Sequence, residues 1–80
     1  VKSITVHYYG ALVEMFGVAQ ALLHTDARTC ADLWQVLVTA QGLTLDHKQL
    51  RVAVDDQFAQ WDSVLSDGQS VAFMPPFAGG

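Results

Sequence analysis

The sequence predicts an α+β fold, a mixed five-stranded sheet with one main helix packed across one face. Three observations predict it. Segments at both ends of the chain alternate apolar and polar residues with a period of two, and a single apolar stripe of helical period lies between them. Glycine or aspartate stands wherever one pattern gives way to the next. Eighty residues suffice for one domain and no more.

Lys2 to Tyr9 alternates, with Ile4, Val6 and Tyr8 on one side and Ser3, Thr5, His7 and Tyr9 on the other, which is the pattern of a half-buried strand. Gly10 ends it, and Ala11 to Phe16 has the length of a short helix before Gly17. Ala19 to His24 reads as a second strand. Thr29 and Asp32 resemble the two partners of a capping box. From Cys30 onward Leu33, Val36, Leu37 and Ala40 recur at helical spacing, Trp34 and Val38 widen the apolar face at its edge, and Gly42 is placed to end the helix after about three turns. Asp46 to Gln49 is polar and loop-like. Leu50, Val52 and Val54 alternate as a third strand, Asp55-Asp56 supplies a turn, and Gln57 to Trp61 makes a short fourth strand. Asp67-Gly68 turns the chain into a last strand, Gln69 to Met74, with Val71 and Phe73 opposite Ala72 and Met74. The first and last strands alternate most strongly, so placing them side by side at the sheet centre buries both.

Composition excludes several function classes. Four basic against eight acidic residues, a net charge of −4, argue against nucleic acid or an anionic membrane as the main partner. No apolar run approaches the ~20 residues of a membrane span, and no signal peptide is evident. One cysteine, Cys30, allows no internal disulfide, which fits a cytoplasmic location. Cys30 falls on the apolar stripe of the helix and reads as a small buried hydrophobe. His7, His24 and His47 are dispersed, with no metal-ligand spacing. The chain has no glycine-rich phosphate loop and no serine nucleophile elbow, and it is expected to bind no cofactor and to catalyse nothing by itself.

The chemistry concentrates at Pro75-Pro76-Phe77-Ala78-Gly79-Gly80. Glycine lacks Cβ, so Gly79-Gly80 is a strip of bare backbone fit for a channel too narrow for side chains. Pro75 and Pro76 hold φ near its ring-fixed value and offer no N–H, so they stop the last strand and stiffen the exit. Residues 1–74 are therefore expected to form the domain and residues 75–80 an extended tail, whose full reach is about 20 Å. Strand parity places Tyr9 and Met74 on the sheet face away from the helix, with Phe58 joining them, as a patch for partner docking.

The run Ser66-Asp67-Gly68-Gln69-Ser70-Val71-Ala72-Phe73-Met74-Pro75-Pro76-Phe77-Ala78-Gly79-Gly80 is similar to the ending Asp-Gly-x-x-Val-Ala-x-x-Pro-Pro-x-x-Gly-Gly of the ubiquitin-like sulfur carriers. The chain most resembles the MoaD family, the small subunit of molybdopterin synthase, within the MoaD/ThiS group. Tyr8-Tyr9-Gly10-Ala11-Leu12-Val13-Glu14-Met15-Phe16-Gly17 is similar to the N-terminal motif of that family, with Val13 in place of a frequent Arg, and Asp55 stands in place of a frequent Asn. The resemblance implies a ubiquitin-like β-grasp. It also implies that an E1-like adenylating enzyme uses ATP to activate Gly80 and that a sulfur donor protein converts it to a thiocarboxylate. The tail, Pro75 to Gly79, then enters the active site of the large subunit in a heterotetramer of two large and two small subunits. There the sulfur passes to a cyclic pyranopterin precursor in molybdenum cofactor biosynthesis. Two alternatives share the activated tip: a sulfur carrier for thiamine thiazole or another metabolite, and a ubiquitin-like protein modifier.

Overall fold

Alternation at the N-terminus builds β1 (Lys2–Tyr8), in which Ile4, Val6 and Tyr8 are buried and the residues between them half-buried. The structure is a computed structural model that describes residues 1–75. A short helix, α1 (Ala11–Phe16), comes next and ends at Gly17, whose N–H bonds to the Val13 carbonyl. β2 (Gln20–Thr25) returns antiparallel to β1, with Ile4 opposite Leu23 and Val6 opposite Ala21. The long helix α2 (Cys30–Gln41) crosses over to a 3₁₀ turn (His47–Gln49) and the hairpin of β3 (Arg51–Val54) and β4 (Gln57–Phe58). β5 (Ser70–Met74) then enters the middle of the sheet, parallel to β1 and antiparallel to β3. The strand order is β2-β1-β5-β3-β4, so the two most strongly alternating strands lie next to each other near the centre. This is the β-grasp arrangement expected from the sequence.

The helix is fastened at both ends. Thr29 accepts a hydrogen bond from the Asp32 N–H, one arm of the expected capping box. The N–H groups of Cys30 and Ala31, which have no partner within the helix, donate to the carbonyls of Ser63 and Trp61. At the other end the Gly42 N–H bonds to the Thr39 carbonyl and the Leu43 N–H to the Val38 carbonyl, the paired closure of a Schellman motif. The buried stripe is Cys30, Leu33, Trp34, Leu37 and Val38. It is therefore rotated from the expected one: Trp34 is 1% exposed, whereas Val36 is 45% exposed and Ala40 is also on the surface. The indole wins the core position because it removes far more apolar area from water than a valine does. Its Nε1–H donates to the Leu45 carbonyl at 2.8 Å, so the one polar atom of the ring is satisfied inside the core.

Aromatic rings run through this core as a connected series. Tyr8 stacks on Phe16, Phe16 meets Trp34 edge-on, and Phe73 of β5 touches both Trp34 and Trp61. Trp61 in turn packs against His47. Two further expectations need correction. The fourth strand ends at Phe58 rather than Trp61, because residues 60–65 leave the sheet to supply carbonyls to the start of α2. The polar stretch Asp46 to Gln49 is not plain loop: Asp46 accepts from the Lys48 N–H and caps a 3₁₀ turn.

The β3–β4 hairpin turns through Asp55 and Asp56, both at positive φ (50° and 69°), as a two-residue type I′ turn requires. Asp55 is also tied to β5: its carboxylate accepts from the Ser70 N–H and its own N–H donates to the Ser70 carbonyl. Asp56 has no such tie among the described residues. We predict that Asp56→Gly raises stability by about 0.5–1 kcal/mol by relieving the left-handed conformation, while Asp55→Gly gains less or loses, since it also removes the bond to Ser70. Urea unfolding midpoints of the two variants check this.

Candidate functional site

The open face of the sheet, opposite α2, carries a groove with a volume of about 190 Å³ lined by Tyr9, Ala53, Asp56, Phe58, Ala72 and Met74. Strand pairing makes it. On β1 and β5 the facing pair is His7 and Ala72; on β5 and β3 it is Ala72 and Ala53, then Met74 and Arg51; on β3 and β4 it is Ala53 and Phe58. Two alanines therefore floor the groove, and the larger Tyr9, Phe58 and Met74 rise around them. Phe58 is 72% exposed and Tyr9 51% exposed, high values for aromatic side chains on a small domain. Asp56 brings a carboxylate to the rim, and Arg51 stands opposite Met74 in the β3–β5 register.

The three residues that strand parity nominates as a patch, Tyr9, Phe58 and Met74, thus line one depression. Sequence reasoning misses the alanine floor, although the alternation that sends Val71 and Phe73 inward sends Ala72 outward with Met74. Of the expected tail, Pro75 is half-buried immediately after β5. Pro76, Phe77, Ala78, Gly79 and Gly80 lie outside the described residues. Gly10, read from sequence only as the end of the first strand, proves to lie against the tail exit: a Cβ built on it would stand 2.9 Å from Cγ of Pro75.

The remaining reactive side chains lie elsewhere. Cys30 is fully buried, and that burial pushes its thiol pKa up, the opposite of what a nucleophilic thiolate needs. Burial likewise raises the Tyr8 phenol. Among the described residues no group of His, Cys, Asp and Glu could hold a metal ion. Among the same residues no helix is long and apolar enough to cross a membrane.

The ThiS family model matches residues 6–80. The chain belongs to the ThiS family. It is accordingly a ubiquitin-like sulfur-carrier chain, and the match runs through the Gly-Gly pair as well as the folded body. No curated protein matches it. Among solved structures, this ThiS-family chain is similar to Haloferax volcanii small archaeal modifier protein 1, with a TM-score of 0.78 and 20% identity over 96% of this chain and 100% of that one. It is similar to Urm1 from Trypanosoma brucei, with a TM-score of 0.71 and 26% identity over 99% of this chain and 96% of that one. It also matches a chain in the complex of subunits 1 and 2 of the molybdopterin-converting factor from Helicobacter pylori, with a TM-score of 0.66 and 19% identity over 98% of this chain and 99% of that one.

The two faces of the sheet should respond differently to substitution. Phe58→Asp on the open face is expected to change unfolding free energy by no more than about 0.5 kcal/mol. Phe73→Ala on the helix-facing side is expected to cost about 3–5 kcal/mol. Chemical denaturation of both variants distinguishes them.

Proposed function

We propose that the chain is the sulfur-carrying small subunit of a molybdopterin synthase. The observation that carries this reading is adjacency: Met74 lines the open-face groove, and Pro75, the next residue, begins the segment that ends in Gly79-Gly80. One docking event on Tyr9, Phe58 and Met74 would hold the body at a partner's surface and deliver the terminal glycine to its interior. The prolines ahead of the tail favour this pathway over thiazole synthesis, whose carriers usually lack them. The Helicobacter pylori relative, a complex of two converting-factor subunits, supports a large-subunit partner of the same kind.

The chemistry starts from the weakness of a carboxylate as an electrophile. Its charge and resonance repel nucleophiles, so one oxygen must first become part of a leaving group. An E1-like adenylating partner supplies ATP: a Gly80 carboxylate oxygen attacks the α-phosphorus, pyrophosphate departs, and an acyl-adenylate forms. Hydrosulfide delivered by a donor protein then attacks the carbonyl carbon, the bond to the adenylate oxygen breaks, AMP departs, and loss of the S–H proton leaves a thiocarboxylate. This sulfur is a soft nucleophile held on a slender tether, and it is passed to the cyclic pyranopterin precursor inside the large subunit. Pro75 and Pro76 orient the tail, Phe77 and Ala78 meet the channel mouth, Gly79 keeps the approach thin, and Gly80 bears the sulfur. Confinement in the partner's channel raises the effective concentration of the sulfur at the precursor. The partner provides the acids, bases and substrate pocket, and this chain provides position and sulfur.

Intact-mass analysis after incubation with the adenylating enzyme, ATP and sulfide tests the proposal. Wild-type chain should gain one oxygen-to-sulfur exchange, while Gly80→Ala and a variant with one residue added after Gly80 should fold normally and remain unchanged. A normal exchange in either variant would overturn the tip assignment. A ladder of conjugates on other proteins in cell extract, in place of a single thiocarboxylate species, would favour the modifier reading. Phe58→Asp and Met74→Asp should weaken binding to the large subunit by about tenfold or more at unchanged stability, as measured by calorimetric titration.

A further inference from the structure

We infer that Gly10 is a positioning residue for the C-terminal segment: its bare backbone is the surface against which the Pro75 ring seats, and this seat sets the heading of the chain as it leaves the sheet. The parallel register pairs Tyr8 with Phe73, so two residues further along each strand Gly10 comes level with Pro75. There a Cβ on Gly10 would lie 2.9 Å from Cγ and 3.6 Å from Cδ of the proline ring. The first distance is shorter than real Cβ contacts allow, and the ring is rigid and joined directly to β5, so it cannot swing aside as the end of a flexible side chain would. Gly10 also adopts φ 60° and ψ −137°, a conformation that essentially only glycine tolerates. It does so because β1 must break there and turn into α1, whose first bonds run from the Leu12 and Val13 N–H groups to the Tyr9 and Gly10 carbonyls. One residue therefore ends the first strand and seats the exit of the last.

The consequence rests on the carrier reading, because only a chain whose terminal carbon must reach a reaction centre depends on its heading at Pro75. An error of about 1 Å at a reacting atom can cost on the order of 100-fold in rate. Gly17 provides the control. It has φ 79°, so alanine is strained there too, yet nothing lies within 4 Å of its missing Cβ.

The experiment compares Gly10→Ala, Gly17→Ala, Pro75→Ala and the double variant Gly10→Ala/Pro75→Ala. The readouts are the kinetics of thiocarboxylate formation by the adenylating enzyme, ATP and sulfide, and the Cα–Hα residual dipolar coupling of residue 75 relative to β5. Gly10→Ala should lower kcat about 10- to 100-fold, leave KM within about twofold because the open face is untouched, and reorient residue 75. Gly17→Ala should do neither, although both variants are less stable. In the Pro75→Ala background, where Cγ is gone, Gly10→Ala should add no further loss. If Gly10→Ala is too unstable to handle, Pro75→Ala alone should slow charging at unchanged stability. Equal slowing by Gly17→Ala, or an unmoved residue 75 with a wild-type rate in Gly10→Ala, would overturn the inference. A wild-type chain that is never charged overturns the carrier reading instead, and the dipolar couplings still decide whether Gly10 sets the heading.

Discussion

When β1 and β5 pair in parallel, Val6 meets Val71 and Tyr8 meets Phe73, and the first and last strands become neighbours. The inward members of both strands complete the core under α2. The outward members form the middle of the open face. The ends of the two strands bring Tyr9 beside Met74 and Gly10 beside Pro75. A contact between segments some 65 residues apart is slow to form, since the loop must close before anything rewards it. The fold accepts that delay because no local hairpin could set the exit of the C-terminal segment against the first strand.

Division of labour between the two sheet faces arises from this pairing. The side toward α2 holds the large residues, Trp34, Phe73, Ile4 and Leu33, and leaves no described buried polar side-chain atom without a partner. The opposite side has small residues at its centre and aromatic residues exposed at its margin. Among the described residues neither face gathers His, Cys, Asp and Glu into a group that could hold a metal ion. Cys30 is sealed in the core, and the histidines are spread along the chain.

Much of this is legible in the chain itself, for reasons that differ from element to element. The alternation of β1 and β5, the Thr29 and Gly42 ends of α2, and the Asp55-Asp56 and Asp67-Gly68 turns are local signals, fixed by sterics and capping within a few residues. Periodicity alone misplaces the stripe of α2 by about a sixth of a turn, since Val36 and Trp34 are both apolar and only the three-dimensional core decides which one it has room for. The end of β4 escapes local reading because Trp61 and Ser63 leave the sheet to satisfy donors of a helix thirty residues earlier, a demand with no local trace. At the groove, parity is enough to nominate Tyr9, Phe58 and Met74. The alanine floor and the seat at Gly10 depend on register between distant strands, which no single segment encodes.

Both tryptophans of the chain lie against the same residue of the last strand: Trp34 approaches Phe73 to 5.0 Å between ring centroids and Trp61 to 5.9 Å. Their ultraviolet emission is therefore an intrinsic optical gauge of β5, the strand that leads to the Gly-Gly end. Any event that loosens that strand, by heat, by solvent or by a partner pulling on the C-terminal segment, will register in the spectrum without a label being attached.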